Sequence, residues 1–466
     1  MIKSLHMKNF KGWKDTGQIS LKPLTIFFGS NSSGKSSIGQ FLMLLKQSIE
    51  FSDRKSVIYT GNENTAVDLG LPSNLIYNQN LDMPIHFSYG WDLDKKIQFT
   101  DAYHKKQYVT DHIDFESEIM VRDQATQELE VRFLKYNFYD SNTSKIVEVG
   151  MRKKEIDAKA KRAYVLTCDN YNFVRSSGRA WDITAPIRFY GFPDEAVAYY
   201  KNSDFLQDLN LMHEKLFSNV YYLGPLRTKA KRMYSWSGRA PDSVGFSGDE
   251  TIAAILAAEN EKRLINLKSR SPRLSFEMII AKMLKEMKLI EEFKIIKIAD
   301  NRQDYDVKIK TKGSSYFVNI PDVGFGISQV LPVIVQLFYA PRRSTIIIEQ
   351  PELHLHPSAQ AGLADVIINA IHAKENYKNR NIQLIIETHS EHFLRRFQRR
   401  IAEEQLSSDE FEAYFANNDT VPASLDLLQV DLFGDICNWP MNFFGDIAGD
   451  VFAQTEAALD RRKKMN

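Results

Sequence analysis

The chain has 466 residues, too many for one ordinary hydrophobic core, and its 43% apolar and 26% charged content suits folded units rather than long disorder. Lys and Arg number 60 against 59 acidic residues, a balance that excludes whole-molecule attraction to nucleic acid or an acidic membrane and leaves only local contacts. The only cysteines, Cys168 and Cys437, lack metal-ligand spacing and argue against a disulfide scaffold or a structural zinc; without a signal-peptide core or a run of roughly 18 to 20 apolar residues, the expectation is a cytoplasmic protein making no membrane contact.

In chain order, the pattern predicts strands at Ile2 to Phe10 and Gln18 to Leu21, then a short buried strand at Leu24 to Phe28. A glycine-rich stretch follows, and from Ser36 the segment IGQFLMLLKQSIEF repeats apolar residues at helical spacing. From about Pro84 to Tyr200 short runs rich in Tyr, Phe, Val and Ile alternate with Asp, Asn and Gly, as strands and hairpins do. Helical spacing returns at Asp204 to Asn219 and at Thr251 to Lys288, the latter interrupted near Ser271 and Pro272. Strands resume at Phe293 to Ala299 and Tyr305 to Ile309, then a glycine-rich turn, a helix, a strand at Thr345 to Ile348, another helix and a strand at Gln383 to Ile386. That alternation predicts a doubly wound α/β core interrupted by a large insertion.

The residues that carry chemistry sit at the ends of these elements. GSNSSGKSS, Gly29 to Ser37, fills every fixed position of G-x-x-x-x-G-K-[ST] with Gly29, Gly34, Lys35 and Ser36, between a strand and a helix. In such a loop, with Ser30, Asn31, Ser32, Ser33 and Ser37 supplying further amides and hydroxyls, backbone N–H groups turn inward on a β-phosphate. Lys35 offers a cation to the terminal phosphates, and the Ser36 hydroxyl can ligate Mg²⁺. ATP and Mg²⁺ are therefore the expected ligands. In STIIIEQPELHLHP, Glu349 ends an apolar strand where a second carboxylate would hold Mg²⁺, directly or through water. QLIIETHS ends in Thr388, His389 and Ser390, where the imidazole of His389 can reach a γ-phosphate oxygen or the attacking water. In DVGFGISQ, Gly324 and Gly326 precede an apolar helix beginning near Ser328, and a helix amino terminus favours anions. Glu352, His354 and His356 are a competing metal-site candidate, since a strand-like H-x-H would face both rings one way. Basic runs at Arg152 to Lys154, Lys159 to Arg162, Lys229 to Arg232, Arg395 to Arg400 and Arg461 to Lys464 read as solvated faces, and MRKKEIDAKAKRAY also as a candidate nucleic-acid contact whose affinity would fall with salt.

The opening IKSLHMKNFKGW, the phosphate loop, GFGISQ, IIIEQPELHLHP and ETHSEHFLRR, in that order, resemble the ABC-type ATPases of the SMC, RecF and overcoming-lysogenisation-defect group. YLGPLR, Tyr222 to Arg227, is a weaker match between them. More narrowly the chain resembles stand-alone antiphage-defence ATPases of the AriA or PtuA kind. The resemblance implies residues 1–83 as the first part of an ABC-type P-loop domain, 84–290 as an inserted β-rich lobe with helices, and 291–466 as the second part of that domain. It implies a head-to-tail homodimer or higher oligomer around ATP, with Ser328 or the amide of Gly326 touching the γ-phosphate of the other subunit. At the usual catalytic-base position stands Gln350, which cannot accept a proton, so either Glu352 or a neighbour replaces it or hydrolysis is slow. The stretch after Ser390 is too short for the nuclease domain of the fused relatives, which implies a separately encoded effector such as a nuclease. The rival is a RecF-like ATPase acting on DNA in repair or recombination. A transporter's ATP subunit fits least, because the large insertion replaces the compact helical region of such subunits.

Overall fold

The apolar runs that end in Gly29, Glu349 and Glu387 lie side by side in one six-stranded sheet, ordered Val220–Leu223, Thr345–Glu349, Gln383–Glu387, Leu24–Gly29, Phe411–Asn417 and Ser424–Leu427, in a computed structural model of the chain. The structure describes residues 1–101, 103–140, 145–154, 164–178, 183–268, 271–418, 421–440, 443 and 447–465. The first five strands are parallel and the last antiparallel. A parallel sheet must be covered on both faces, and side-chain alternation divides it cleanly. Leu24, Ile26, Phe28, Ile346, Ile348, Leu384 and Ile386 face one core, whereas Phe27, Ile347, Ile385 and Tyr414 face the other. Each fully buried aliphatic side chain contributes about 1.5 to 3 kcal/mol, so a one-residue slip of any of these strands would exchange its two faces and forfeit both.

The first core is closed by the helices Thr251–Asn260, Phe276–Glu286, Phe325–Tyr339, Pro357–His372 and Glu391–Ala402. The second is closed by the helix Lys35–Glu50, the helix Phe205–Ser218 and an eight-stranded antiparallel sheet. That sheet runs Trp13–Asp15, Ile2–Phe10, Ile85–Asp101, Lys106–Asp123, Glu128–Asp140, Lys145–Lys153 and Tyr164–Asp169, with Ile19–Ser20 on the flank of Ile2–Phe10. Phe87, Tyr89 and Trp91 point inward at every second position, the period a half-buried strand requires. The chain is thus an α/β protein in which a mostly parallel sheet carries the strand–glycine loop–helix unit and a large antiparallel sheet packs beside it.

Several elements differ from the sequence reading, each because a distant partner decides them. Val220–Leu223, inside the range 84–290, is an edge strand of the parallel sheet, its register set by Thr345–Ile348. The helical stretch read across Thr251 to Lys288 is broken: Leu264–Asn266 is a strand, because it pairs with Leu274–Ser275 on one side and Lys374–Glu375 on the other. The helix expected near Ser328 begins at Phe325. Phe411–Asn417, which the pattern reading passed over, flanks the phosphate-loop strand in parallel register. No helix of the described residues is long and apolar enough to cross a membrane.

Candidate functional site

The chain crosses from Leu24–Gly29 into the helix Lys35–Glu50 through a turn that only glycine suits at two positions. Gly29 has φ 143°, and a Cβ there would strike the Ala416 carbonyl; Gly34 has φ 90°, and its Cβ would lie 3.0 Å from the Trp13 ring. Trp13 also donates its indole N–H to the Gly34 carbonyl at 3.0 Å, so the antiparallel sheet props the loop from below. Asn31 and Ser32 are exposed at the crown, while Ser33, Lys35 and Ser37 are buried. Lys35 Nζ donates to the carbonyls of Gly29 (3.0 Å) and Ser30 (2.5 Å) and to Ser33 Oγ (3.3 Å). Burial lowers its pKa, against the opposing pull of Glu387 and Glu352.

Parallel register sets Glu349 and Glu387 directly opposite each other at the carboxyl ends of adjacent strands, where the crevice of an open α/β sheet lies. Glu349 Oε1 accepts from Tyr222 Oη at 2.8 Å. Burial, then the neighbouring Glu387 carboxylate, pushes Glu349 up to about 7. Glu387 lies beside the Ser36 hydroxyl and faces Lys35; burial raises its pKa as well, and its Oε2 is buried with no partner. Glu352 is buried too. Its Oε1 accepts from Thr388 Oγ1 at 2.6 Å and from the His389 N–H at 2.9 Å, its Oε2 is unpartnered, and burial raises its pKa. His389 lies near Lys35 and the Gly29 backbone; burial first, then that cation, lowers its pKa.

Gln350 is partly exposed, in the left-handed region at φ 43°, with its N–H bonded to the Glu387 carbonyl at 2.8 Å. Arg227 holds that strained turn. Its guanidinium donates to the Glu349 carbonyl at 2.9 Å and to the Gln350 carbonyl at 3.4 Å, and burial brings its pKa down to about 10.

The structure thus brings Gly29, Ser30, Ser33, Gly34, Lys35, Ser36, Glu349, Gln350, Glu352 and His389 into one cluster. It places Gly324, Gly326 and Ser328 elsewhere. Ser328 Oγ donates to the Phe325 carbonyl and lines a small cavity with Thr228, Tyr234 and Thr251. Phe325 packs edge-on against His354, and Gly326 lies against the His354 carbonyl. Among the described residues no hydrogen bond or ion pair joins this turn to the phosphate loop. Glu352, His354 and His356 do not converge either, because the segment is a turn rather than a strand: His354 has φ 62° and faces Phe325, and His356 caps the helix Pro357–His372. No group of three His, Cys, Asp or Glu side chains placed to hold a metal ion occurs among the described residues. Of the basic runs, Arg395, Arg396, Arg399 and Arg400 pair with Glu391, Asp365 and Glu403, Arg232 with Asp322, and Lys153 with Glu130. Lys159 to Arg162 lies outside the described residues.

Three residues of the cluster escaped the sequence reading. Glu387 carries the same signal as Glu349, an apolar run ending in an acid, but sits beside the more conspicuous Thr388, His389 and Ser390. Tyr222 and Arg227 reach the cluster only because Val220–Leu223 joins the parallel sheet. The donor set fits the expected ligands: a hydroxyl and paired carboxylates with a spare buried oxygen are the hard donors Mg²⁺ takes, and the glycine turn leaves room for phosphate against backbone.

Two family models match the sequence, the AAA ATPase domain over residues 1–174 and the AAA domain, putative AbiEii toxin, type IV toxin–antitoxin system, over residues 187–395. The two matches mark AAA-type ATPase domains in two stretches of the chain, each covering less than half of its length. No curated protein matches the sequence. Similar solved structures include an SMC head bound to the C-winged helix domain of ScpA (10% identity, TM-score 0.39, 92% of this chain and 98% of that one). Others are the SMC head domain from Thermotoga maritima (11%, 0.38, 92% and 99%) and an SMC head with an extended coiled coil bound to the C-terminal domain of ScpA from Pyrococcus furiosus (10%, 0.37, 92% and 96%).

Proposed function

We propose that the chain binds ATP with Mg²⁺, hydrolyses it slowly, and pairs or assembles into a higher oligomer around the nucleotide. In that state it acts as a sensor or scaffold for a separately encoded effector, such as a nuclease, in bacterial antiphage defence. The observation that carries the reading is the meeting of Lys35 and Ser36 with Glu349, Glu387 and His389 while position 350 holds a glutamine. In this reading the loop amides from Gly29 to Ser37 and Lys35 orient the phosphates, and Ser36 and Glu349 hold the cation. His389 stays neutral and offers a ring nitrogen to the terminal phosphate. Bound Mg²⁺ would supply charge neutralisation across the phosphates. Gln350 can orient water but takes no proton, and Glu352, tied down by Thr388 and His389, has one oxygen left for that role. Gly324, Gly326 and Ser328, which make no hydrogen bond or ion pair with the chain's own phosphate loop among the described residues, are left to serve another copy.

The toxin–antitoxin description of one matching family model supports a place in defence rather than housekeeping. The DNA-repair rival has less support, since the Arg395 to Arg400 face is neutralised by its own carboxylates. The deciding experiment is ATP binding and single-turnover hydrolysis by the purified protein, with Gln350→Glu and Glu352→Gln beside it. Slow wild-type turnover, raised by Gln350→Glu within the roughly 10²- to 10⁴-fold reach of a general base, is expected. Wild-type turnover of tens per second, unchanged in Glu352→Gln, would sink the slow-hydrolysis reading. Recovery of the protein with its operon neighbours, compared with Lys35→Ala, tests the effector.

A further inference from the structure

The cluster contains one carboxylate more than the phosphate-loop and second-strand motifs require, and it is the one best placed to meet a cation. Glu387 stands between the phosphate-loop strand and the Glu349 strand, paired with both Phe27 and Glu349 in parallel register. It is only 8% exposed, lies beside the Ser36 hydroxyl and Lys35, and leaves Oε2 buried with no partner. A buried carboxylate oxygen without a donor is costly unless something fills the gap. Glu349, by contrast, already commits Oε1 to Tyr222. Mg²⁺ is commonly held by one or two carboxylates together with substrate phosphates, and the Ser36 hydroxyl beside Glu387 puts both within reach of one ion.

We infer that Glu387 is a ligand of the divalent cation, forming with Ser36 and Glu349 a two-carboxylate site in which Glu387 supplies, from the neighbouring strand, the second negative charge that Gln350 does not. The inference rests on the nucleotide reading for the identity of the phosphate ligand, but not for the cation itself. Glu349 and Glu387 opposed across two strands make a site that neither strand alone can form. A single carboxylate with Ser36 would hold the ion more weakly.

The test is Mn²⁺ titration, followed by the electron paramagnetic resonance signal of the free ion, on the full chain without nucleotide and with ATP. Glu387→Gln should weaken Mn²⁺ binding about 10- to 100-fold. It should also abolish the gain in ATP affinity that Mg²⁺ adds over EDTA, read as the ratio of the two affinities within the same variant. Wild-type Mn²⁺ affinity in Glu387→Gln, with loss in Glu349→Gln, would overturn the assignment. Should Glu387→Gln not fold by circular dichroism, Glu387→Asp retracts the same charge by one methylene. Unchanged Mn²⁺ affinity there overturns the assignment, and a fall sustains it. A wild-type protein that binds Mn²⁺ through Glu387 but takes up no ATP would keep this inference and discard the nucleotide reading.

Discussion

The strand-end cluster and the core beneath the antiparallel sheet both bury titratable groups, and they treat them in opposite ways. In the core, His213 is fully buried inside a cage of Tyr89, Phe115, Tyr136, Phe189, Tyr190 and Phe217. Tyr136 donates its hydroxyl to the Tyr190 carbonyl at 3.0 Å and so accepts from His213 Nδ1 at 2.9 Å, while Tyr89 donates to Nε2 at 2.6 Å. Tyr190 in turn donates to Glu214 at 2.7 Å. Every ring nitrogen and every hydroxyl of this network has a partner within the chain. At the strand ends, Glu352 Oε2, Glu387 Oε2 and Arg227 Nε are buried and unpartnered. A closed network stabilises the fold and holds one tautomer; an open one stores desolvation cost that a ligand can relieve.

Four experiments break or sharpen that contrast. The largest effect is expected from Lys35→Ala, which should abolish ATP binding in calorimetry while the denaturation midpoint moves little, since Lys35 bonds only to its own loop. Next, His213→Ala should cost about 3 to 5 kcal/mol in urea unfolding, because it opens a cavity and strands the Tyr89 hydroxyl, yet nucleotide affinity of the folded fraction should not change. An affinity loss as large as that of Lys35→Ala would mean that the two regions are coupled. Arg227→Met should cost about 1 to 3 kcal/mol by leaving the Glu349 and Gln350 carbonyls without their donor, and should lower turnover more than ATP affinity. Stability loss with unchanged turnover would make Arg227 purely structural.

The smallest effect is a pair of opposed pH slopes. Glu349 is raised from 4.5 to about 7, first by burial, so the folded state binds its proton more tightly than the unfolded one. Its contribution is present below about pH 4.5 and is lost as pH rises toward 7. His213 is held well below 6.5 by burial, so its contribution is present above that value and is lost as pH falls below it. In EDTA, Glu349→Gln should remove the loss on the alkaline side and His213→Gln the loss on the acidic side of a midpoint-against-pH curve. If neither variant alters the curve, other groups set it.

Much of the site was legible because its parts are local. Gly29, Gly34, Lys35 and Ser36 sit on consecutive turns of one strand–loop–helix unit, and the strand ahead of them announced itself by a short apolar run. Glu349 and His389 could be read the same way, as polar residues ending apolar strands. Glu387 was equally visible as a residue but had no meaning until its strand was known to lie between the other two. The break of the Thr251 to Lys288 stretch was not legible at all, because Leu264–Asn266 is a strand only by virtue of Lys374–Glu375, far along the chain. The same holds for Phe411–Asn417, whose neighbour is the phosphate-loop strand.

What the sequence by itself determined is the phosphate-loop motif and the α/β alternation, both of which depend on backbone rules and residue chemistry within a few positions. Only the tertiary structure decided which strands are neighbours, and with that the opposition of Glu349 to Glu387 and the reach of Tyr222 and Arg227 into the cluster. The physical reason is that a parallel sheet carries no local signal of strand order. Its order follows from which apolar faces can be buried together, and that depends on the whole chain at once.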